Sequence, residues 1–280
     1  MTGLATPKGL CPLRRFGDRH IETISGIVFA ALLLLVWESV CRLGLVDKLI
    51  LPAPSAILLT LVRGLLGEGQ LSFPIAAHTL SSLKMLAIGF PAGVVLGVAA
   101  GTAIGLNDTA YRLFGPVLGA LVPVPAIAWT PIALIWFGLG APAIIAIVIY
   151  ACFTEVVYNT IAGVRGVPLR FNWVIRSLGG SPTTYIFRVI LPASFPQIFV
   201  GIKLGLAASW RSLIGAEMFA GVSLGLGFML YEAREFYATD IMFASLALVA
   251  IFSLLLEQVG MRYIERRTLT RWGMSQTLDV

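Results

Sequence analysis

The sequence predicts an all-α membrane protein with six transmembrane helices. Three observations carry that expectation. Of 280 residues, 58% are hydrophobic and only 12% are charged, against about 25% charged in soluble domains. Apolar stretches of the ~20 residues that a bilayer-spanning helix needs recur along the chain. The basic residues between them collect in alternate connections, as they do when a membrane protein has a fixed orientation. The net charge of +6 therefore reads as a topology signal, with no nucleic-acid partner expected.

In chain order, residues 1–21 hold Lys8, Arg14, Arg15 and Arg19. The apolar run from Ile24 to Val36 continues into WESVCRLGLV with no clear small-residue cleavage site. It therefore predicts an uncleaved first span over 24–46 rather than a signal peptide. Residues 47–79 contain LPAPSAILLTLVRGLLGEGQ. Their Pro-x-Pro-Ser start predicts a helix capped near Ser55 and lying at a membrane surface. Further spans are expected at 80–106, 112–137, 141–164, 195–220 and 239–261. Residues 165–192 carry Arg165, Arg170, Arg176 and Arg188 and no acid, and residues 262–280 carry Arg262, Arg266, Arg267 and Arg271. The opposite connections are poor in basic residues, with Lys48 and Arg63 in 47–79, none in 138–140, and Arg234 beside Glu232 and Glu235 in 221–238. Six spans put the three basic segments on one side. The expectation is that both termini and the 165–192 loop are cytoplasmic. Cys11, Cys41 and Cys152 show no ligand spacing, so no metal site is expected.

Within the spans, Gly89, Gly93, Gly97, Gly101 and Gly105 recur every four residues. Such a row lets two helix backbones approach closely. It fits either packing inside one subunit or a contact between two copies. The third span, LVPVPAIAWTPIALIWFGLG, contains Pro123, Pro125 and Pro131. Each removes a backbone hydrogen bond, and such breaks are tolerated at depth where the backbone is covered or lines a cavity. Trp129 lies deep enough to wall a pathway or simply to pack a kinked helix.

Lys84, Glu155, Lys203, Arg211, Glu217 and Glu257 fall inside spans. At about 3 kcal/mol for a charge at a helix centre, each calls for a partner or a wet cavity. Lys203, Ala207, Trp210, Ile214 and Glu217 share one helix face, with Arg211 at its edge. This stripe either lines a passage or is neutralised by Glu155 on the fourth span, and a Glu217–Glu155 pair is expected in the closed state. The pathway candidates are thus Pro125, Trp129, Glu155, Lys203, Trp210, Arg211 and Glu217. None of the four lysines sits in a phosphate-binding loop, and there is no H-E-x-x-H pattern. No catalytic residues and no enzyme activity are expected on this chain.

The segment RSLGGSPTTYIFRVILPASFPQIFVGIKLGLAASW resembles the conserved "EAA" cytoplasmic loop of ABC-importer permeases. Arg176-Ser177-Leu178-Gly179 and Leu191-Pro192 match its pattern. VPVPAIAWTPIALIWFGLG followed by NTIAGVRGV, LPAPSAIL before the second span, and AEMF with GLGFML after the fifth resemble the branch that imports taurine, aliphatic sulfonates, nitrate and bicarbonate. The resemblance covers residues 51 to about 262. It implies a type I ABC importer fold, with an ABC transmembrane type-1 domain over 75–262. Residues 1–21 would be a cytoplasmic segment, 22–74 the first span and a periplasmic surface helix, and 263–280 a cytoplasmic tail.

The resemblance further implies two copies of the chain in the bacterial inner membrane, two ATPase subunits and a periplasmic binding protein. ATP and Mg would be held by the ATPase, with no cofactor on this chain. Arg170, Trp173, Arg176, Ser177, Leu178, Gly179, Gly180, Ser181, Leu191 and Pro192 would form the ATPase-coupling loop. Residues 170–178 can form its short helix, which Gly179 can end. Two departures stand out. Trp173-Val174-Ile175 replaces Glu-Ala-Ala, and Val122 stands where many members carry an arginine before the Pro-x-Pro. Broken helices and charges at depth also suit a stand-alone secondary transporter or channel, although no inverted repeat is evident.

Overall fold

The computed structural model describes residues 13–67, 74–168, 170–177, 179 and 181–268, and every regular element among them is helical. In chain order these are α1 (Leu13–Arg42), α2 (Pro54–Leu65), α3 (Ile75–Leu106), α4 (Asp108–Leu121), α5 (Thr130–Phe137) and α6 (Ala141–Arg165). They continue as α7 (Arg170–Ser177), α8 (Pro182–Tyr185), α9 (Leu191–Glu217), α10 (Leu226–Glu235), α11 (Thr239–Leu254) and α12 (Met261–Thr268). A wide π turn, Ile186–Ile190, fuses α8 to α9. Pro192 has no N–H for the Arg188 carbonyl, and a wider turn absorbs that defect. A second π turn, Leu255–Gly260, fuses α11 to α12.

The centre of the fold is α6, packed between α3 and α9. The glycine row is the reason α3 lies so close. A Cβ at Gly89, Gly93, Gly97, Gly101 or Gly105 would stand 2.5–2.9 Å from a side-chain atom of Val148, Cys152, Val156, Thr160 or Val164, respectively. Each glycine meets the residue 59 positions later. A constant positive offset means that the two helices run parallel. The row is thus spent inside the subunit, which decides between the two readings of it. On the other side, Gly201 abuts Val156, Gly205 abuts Cys152, and the Ser209 hydroxyl donates to the Val148 carbonyl at 3.2 Å. Here one number rises as the other falls, so α6 and α9 are antiparallel.

The third expected span is broken at its prolines, and it begins at Asp108 rather than at residue 112. It is two segments, Asp108–Leu121 and Ala126–Phe137, that meet at 94°. Pro123 and Pro125 cannot donate to the Gly119 and Leu121 carbonyls, so the helix stops there and restarts as a short 3-10 turn, Ala126–Trp129. The pair still carries the chain across. Because α3 and α6 are parallel, residues 107–140 must return the chain to the end where α3 began. Among the described residues, five helices are long and apolar enough to span, and this bent pair makes the sixth crossing.

The helix expected near Ser55 is present as α2, but its cap comes from elsewhere. Ser55 is not its own N-cap. The Glu38 carboxylate of α1 accepts from the Ser55 N–H at 3.1 Å and from its hydroxyl at 2.7 Å. A distant acid satisfies the helix start, and sequence spacing gives no view of such a partner.

Candidate functional site

Two features answer to the residues singled out in the sequence. One is an exposed turn at the end where α3, α6 and α9 meet. The other is a cavity at mid-depth.

At the exposed end, α7 covers Arg170–Ser177 and Gly179 follows with φ +75°. Only glycine takes that conformation without strain. The Ser181 hydroxyl then caps α8 by accepting from the Thr184 N–H at 3.3 Å. Ser177 donates to the Trp173 carbonyl at 2.9 Å, locking the last turn of α7. Trp173 is 71% exposed and Phe171 41%, so α7 presents aromatic rings to the outside next to Arg170. Arg176 lies within α7, Leu191-Pro192 opens α9, and Leu178 and Gly180 fall outside the described residues.

Arg165, the last residue of α6, ties this end to α4. It pairs with Asp108 at 2.9 Å and lies 4.0 Å above the Tyr111 ring.

The cavity has a volume of about 270 Å3, slightly below the roughly 300 Å3 at which ordinary small-molecule pockets begin. The break between α4 and the 3-10 turn forms one wall through Val122 and Pro125. From α6 come Thr154 and Glu155, and from α9 come Arg211 and Ser212. Each helix contributes residues at i, i+3 and i+4, the patch that one helix face presents. Neither Glu155 nor Arg211 makes an ion pair within 4 Å among the described residues.

The model of the family described as "Binding-protein-dependent transport system inner membrane component" matches residues 93–270. The chain belongs to this family. It is 36% identical over 242 residues to the taurine transport system permease protein of Escherichia coli, covering 86% of this chain and 87% of that one. It is 30% identical over 256 residues to the bicarbonate transport system permease protein of Synechococcus elongatus, with 89% and 90% covered. It is likewise 30% identical over 241 residues to the nitrate import permease protein of a Synechocystis species, with 85% and 86% covered. Its fold is similar to that of a chain of the MetNI methionine ABC transporter in an inward-facing conformation. The TM-score is 0.59 at 19% identity, covering 75% of this chain and 97% of that one. The protein is a multi-pass membrane permease with the type I ABC importer fold.

The permease brings together only part of the expected pathway set. Pro125, Glu155 and Arg211 share the cavity. Trp129 stands beside it on the 3-10 turn, its ring 5.6 Å from that of Tyr150. Trp210 is not at the cavity. It is 1% exposed and donates from Nε1 to the Val249 carbonyl on α11 at 3.2 Å. Lys203 points to the same side and pairs with Glu265 at 3.1 Å, not with Glu155. The face shared by Lys203, Trp210 and Glu217 is therefore a packing face. Arg211, taken as its edge, belongs to the neighbouring face that looks into the cavity.

Glu217 does not pair with Glu155. The α6–α9 register places Glu217 level with residue 140, fifteen positions from Glu155, or about 22 Å at 1.5 Å per residue. Glu217 is fully buried. It accepts from the Ser82 hydroxyl at 2.6 Å and from the Gly227 N–H at 2.8 Å. Ser82 in turn accepts from the Leu226 N–H at 2.9 Å. Glu217 thus fastens the start of α10 against α3. The glycines of GLGFML explain themselves here. A Cβ at Gly225 would lie 2.6 Å from the Glu217 carboxyl carbon, and one at Gly227 would strike the Ile214 carbonyl. Sequence reading missed Ser82 because a serine in an apolar helix carries no signal of its own. Gly221-Val222-Ser223-Leu224-Gly225 also has the spelling of a hydrolase nucleophile elbow. It joins α9 to α10, however, where an elbow needs a preceding strand.

A larger cavity of about 600 Å3 lies at the edge between α1, α2 and the start of α11. Both acids that line it are already engaged, Glu38 by Ser55 and Arg42, and Asp240 by Thr60.

Proposed function

We propose that this chain is the permease subunit of an ATP-driven importer of a small anionic solute, a sulfonate such as taurine, nitrate or bicarbonate. Two copies work with two ATP-binding cassette subunits, which hold ATP and Mg, and with one periplasmic binding protein. The complex sits in the bacterial inner membrane with both termini and α7 on the cytoplasmic side. The observation that carries this reading is the exposed α7, with Trp173 and Phe171 turned outward and a glycine-specific turn behind it. An aromatic helix end held clear of the bundle suits docking into a groove on a partner. Trp173 then supplies apolar contact where other permeases of this kind place an acid. Arg211 in the cavity and the taurine, bicarbonate and nitrate permeases among the relatives support an anionic solute.

The test is reconstitution with the cognate ATPase and binding protein. ATP-dependent uptake is expected only with all components present, and flux through this chain alone would favour a stand-alone transporter or channel. In that assay, Gly179→Val is expected to leave the bundle folded, because a Cβ at Gly179 meets nothing within 4 Å. Forcing a side chain to positive φ costs about 1–2 kcal/mol and re-aims α7. Uptake is expected to fall about tenfold or more, with reduced co-purification of the ATPase.

Arg165→Gln probes the link from this end to the broken span. The ion pair is largely exposed, with Asp108 at 79%, so stability is expected to change by less than about 1 kcal/mol. Uptake per ATP hydrolysed is nevertheless expected to fall, because α4 leads directly to the cavity wall at Val122 and Pro125. An unchanged ratio of transport to hydrolysis would remove Arg165 from the coupling route.

A further inference from the structure

We infer that the mid-depth cavity is a site for a small zwitterion, an acid group and an ammonium on one short chain, and that the permease itself prefers such a solute to a simple anion. The inference rests on the reading of this chain as an importer of small anionic solutes. It narrows that class by what faces the cavity.

The charged groups lining it are one of each sign, Arg211 from α9 and Glu155 from α6. The antiparallel register puts Arg211 level with residue 146, nine positions from Glu155, an axial offset of about 13 Å. Side chains lean toward the N-terminus of their own helix. On antiparallel helices, Arg211 and Glu155 therefore lean toward each other from opposite ends of the cavity. They form no ion pair within 4 Å among the described residues, so two opposite charges stand apart at membrane depth with a cavity between them. Unpaired charge in that setting marks a solute or ion path.

A simple anion such as nitrate would meet Arg211 but would also face the Glu155 carboxylate, a like charge across the same cavity. An aminoalkanesulfonate satisfies both ends. Its sulfonate accepts from the guanidinium and its ammonium donates to the carboxylate. Val122 adds an independent reason. It lines this same cavity, at the position where the resemblance leads one to expect an arginine. A second cation there would favour a plain anion, whereas its replacement by valine leaves one cation and one acid in balance.

The test is equilibrium binding of radiolabelled taurine to the purified permease–ATPase complex without the binding protein. Ethanesulfonate, which is taurine without its ammonium, and nitrate serve as competitors. Saturable taurine binding is expected, with ethanesulfonate competing at least about tenfold more weakly than unlabelled taurine. Glu155→Gln is expected to erase that preference, and Arg211→Gln to abolish binding of both. Equal competition by ethanesulfonate, an unchanged preference in Glu155→Gln, or no saturable taurine binding each overturns the inference. The competitor comparison needs only the wild-type complex, so it stands even where a variant fails to assemble. Uptake of an anionic solute that persists without such binding overturns the cavity assignment alone. Failure of the full complex to take up any anionic solute overturns the proposed function instead.

Discussion

Replacing Gly93 and Gly101 together by leucine is expected to abolish the folded permease. A Cβ at Gly93 would lie 2.5 Å from the Cys152 Cβ and 2.9 Å from the Ile149 carbonyl oxygen. At Gly101 the corresponding distances are 2.6 Å to the Thr160 Cβ and 2.9 Å to the Val157 carbonyl oxygen. Side-chain tips can swing aside, but these obstacles are backbone oxygens and Cβ atoms fixed to α6. The only relief is to push α3 away from α6, which empties the centre of the fold. Overpacking typically costs about 1–3 kcal/mol per site. The two sites lie about 12 Å apart along the helix, far enough for their effects to add. A loss of roughly 2–6 kcal/mol rivals the whole stability of an ordinary domain. Thermal unfolding in detergent and the yield of monodisperse protein measure it. Gly119→Leu is the control, since a Cβ there meets nothing within 4 Å. Were the double variant to unfold like wild type and lose only its association with a second copy, the row would be an interface and the parallel α3–α6 packing would be wrong.

Glu217→Ala is expected to release the α9–α10 connection. The carboxylate is fully buried and answers two donors, the Ser82 hydroxyl and the Gly227 N–H. Alanine leaves both without that acceptor in a fully buried space. At about 1–3 kcal/mol for each buried donor left without a partner, the expected loss is roughly 2–6 kcal/mol. Glu217→Gln keeps an oxygen for one donor and is expected to lose about half as much. Faster amide exchange over residues 221–230 in the alanine variant would report the opening directly. Exchange that stays at the wild-type rate would mean that apolar packing, not the carboxylate, holds α10. This effect is distinct from one at the cavity, because Glu217 lies about 22 Å along the helix from Glu155.

The contrast between Arg211 and Trp210 shows how far a sequence reaches into a site of this kind. Both stood out, as a charge and a large aromatic at depth. Adjacent residues on a helix point about 100° apart, so when α11 covers one face the other can still look into a cavity. Periodicity groups residues into faces, but it does not say which face is covered. The same limit applies to Lys203, whose partner Glu265 lies beyond the end of the sixth span, and to Glu217, whose partner Ser82 is 135 residues away.

What the sequence determined by itself is the local physics. Apolar length sets which segments can cross a bilayer, because every backbone group must be satisfied within its own helix there. Prolines at 123 and 125 fix where the third crossing breaks, and Gly179 fixes where α7 ends, because these residues constrain their own dihedrals. Motif order was enough to place the chain among importer permeases. Only the tertiary structure decided that the glycine row closes α3 onto α6, that the third crossing turns through 94°, and which charges meet. Those outcomes depend on the register between helices. Register is set by the summed fit of many distant side chains, and no single stretch of the chain contains that sum.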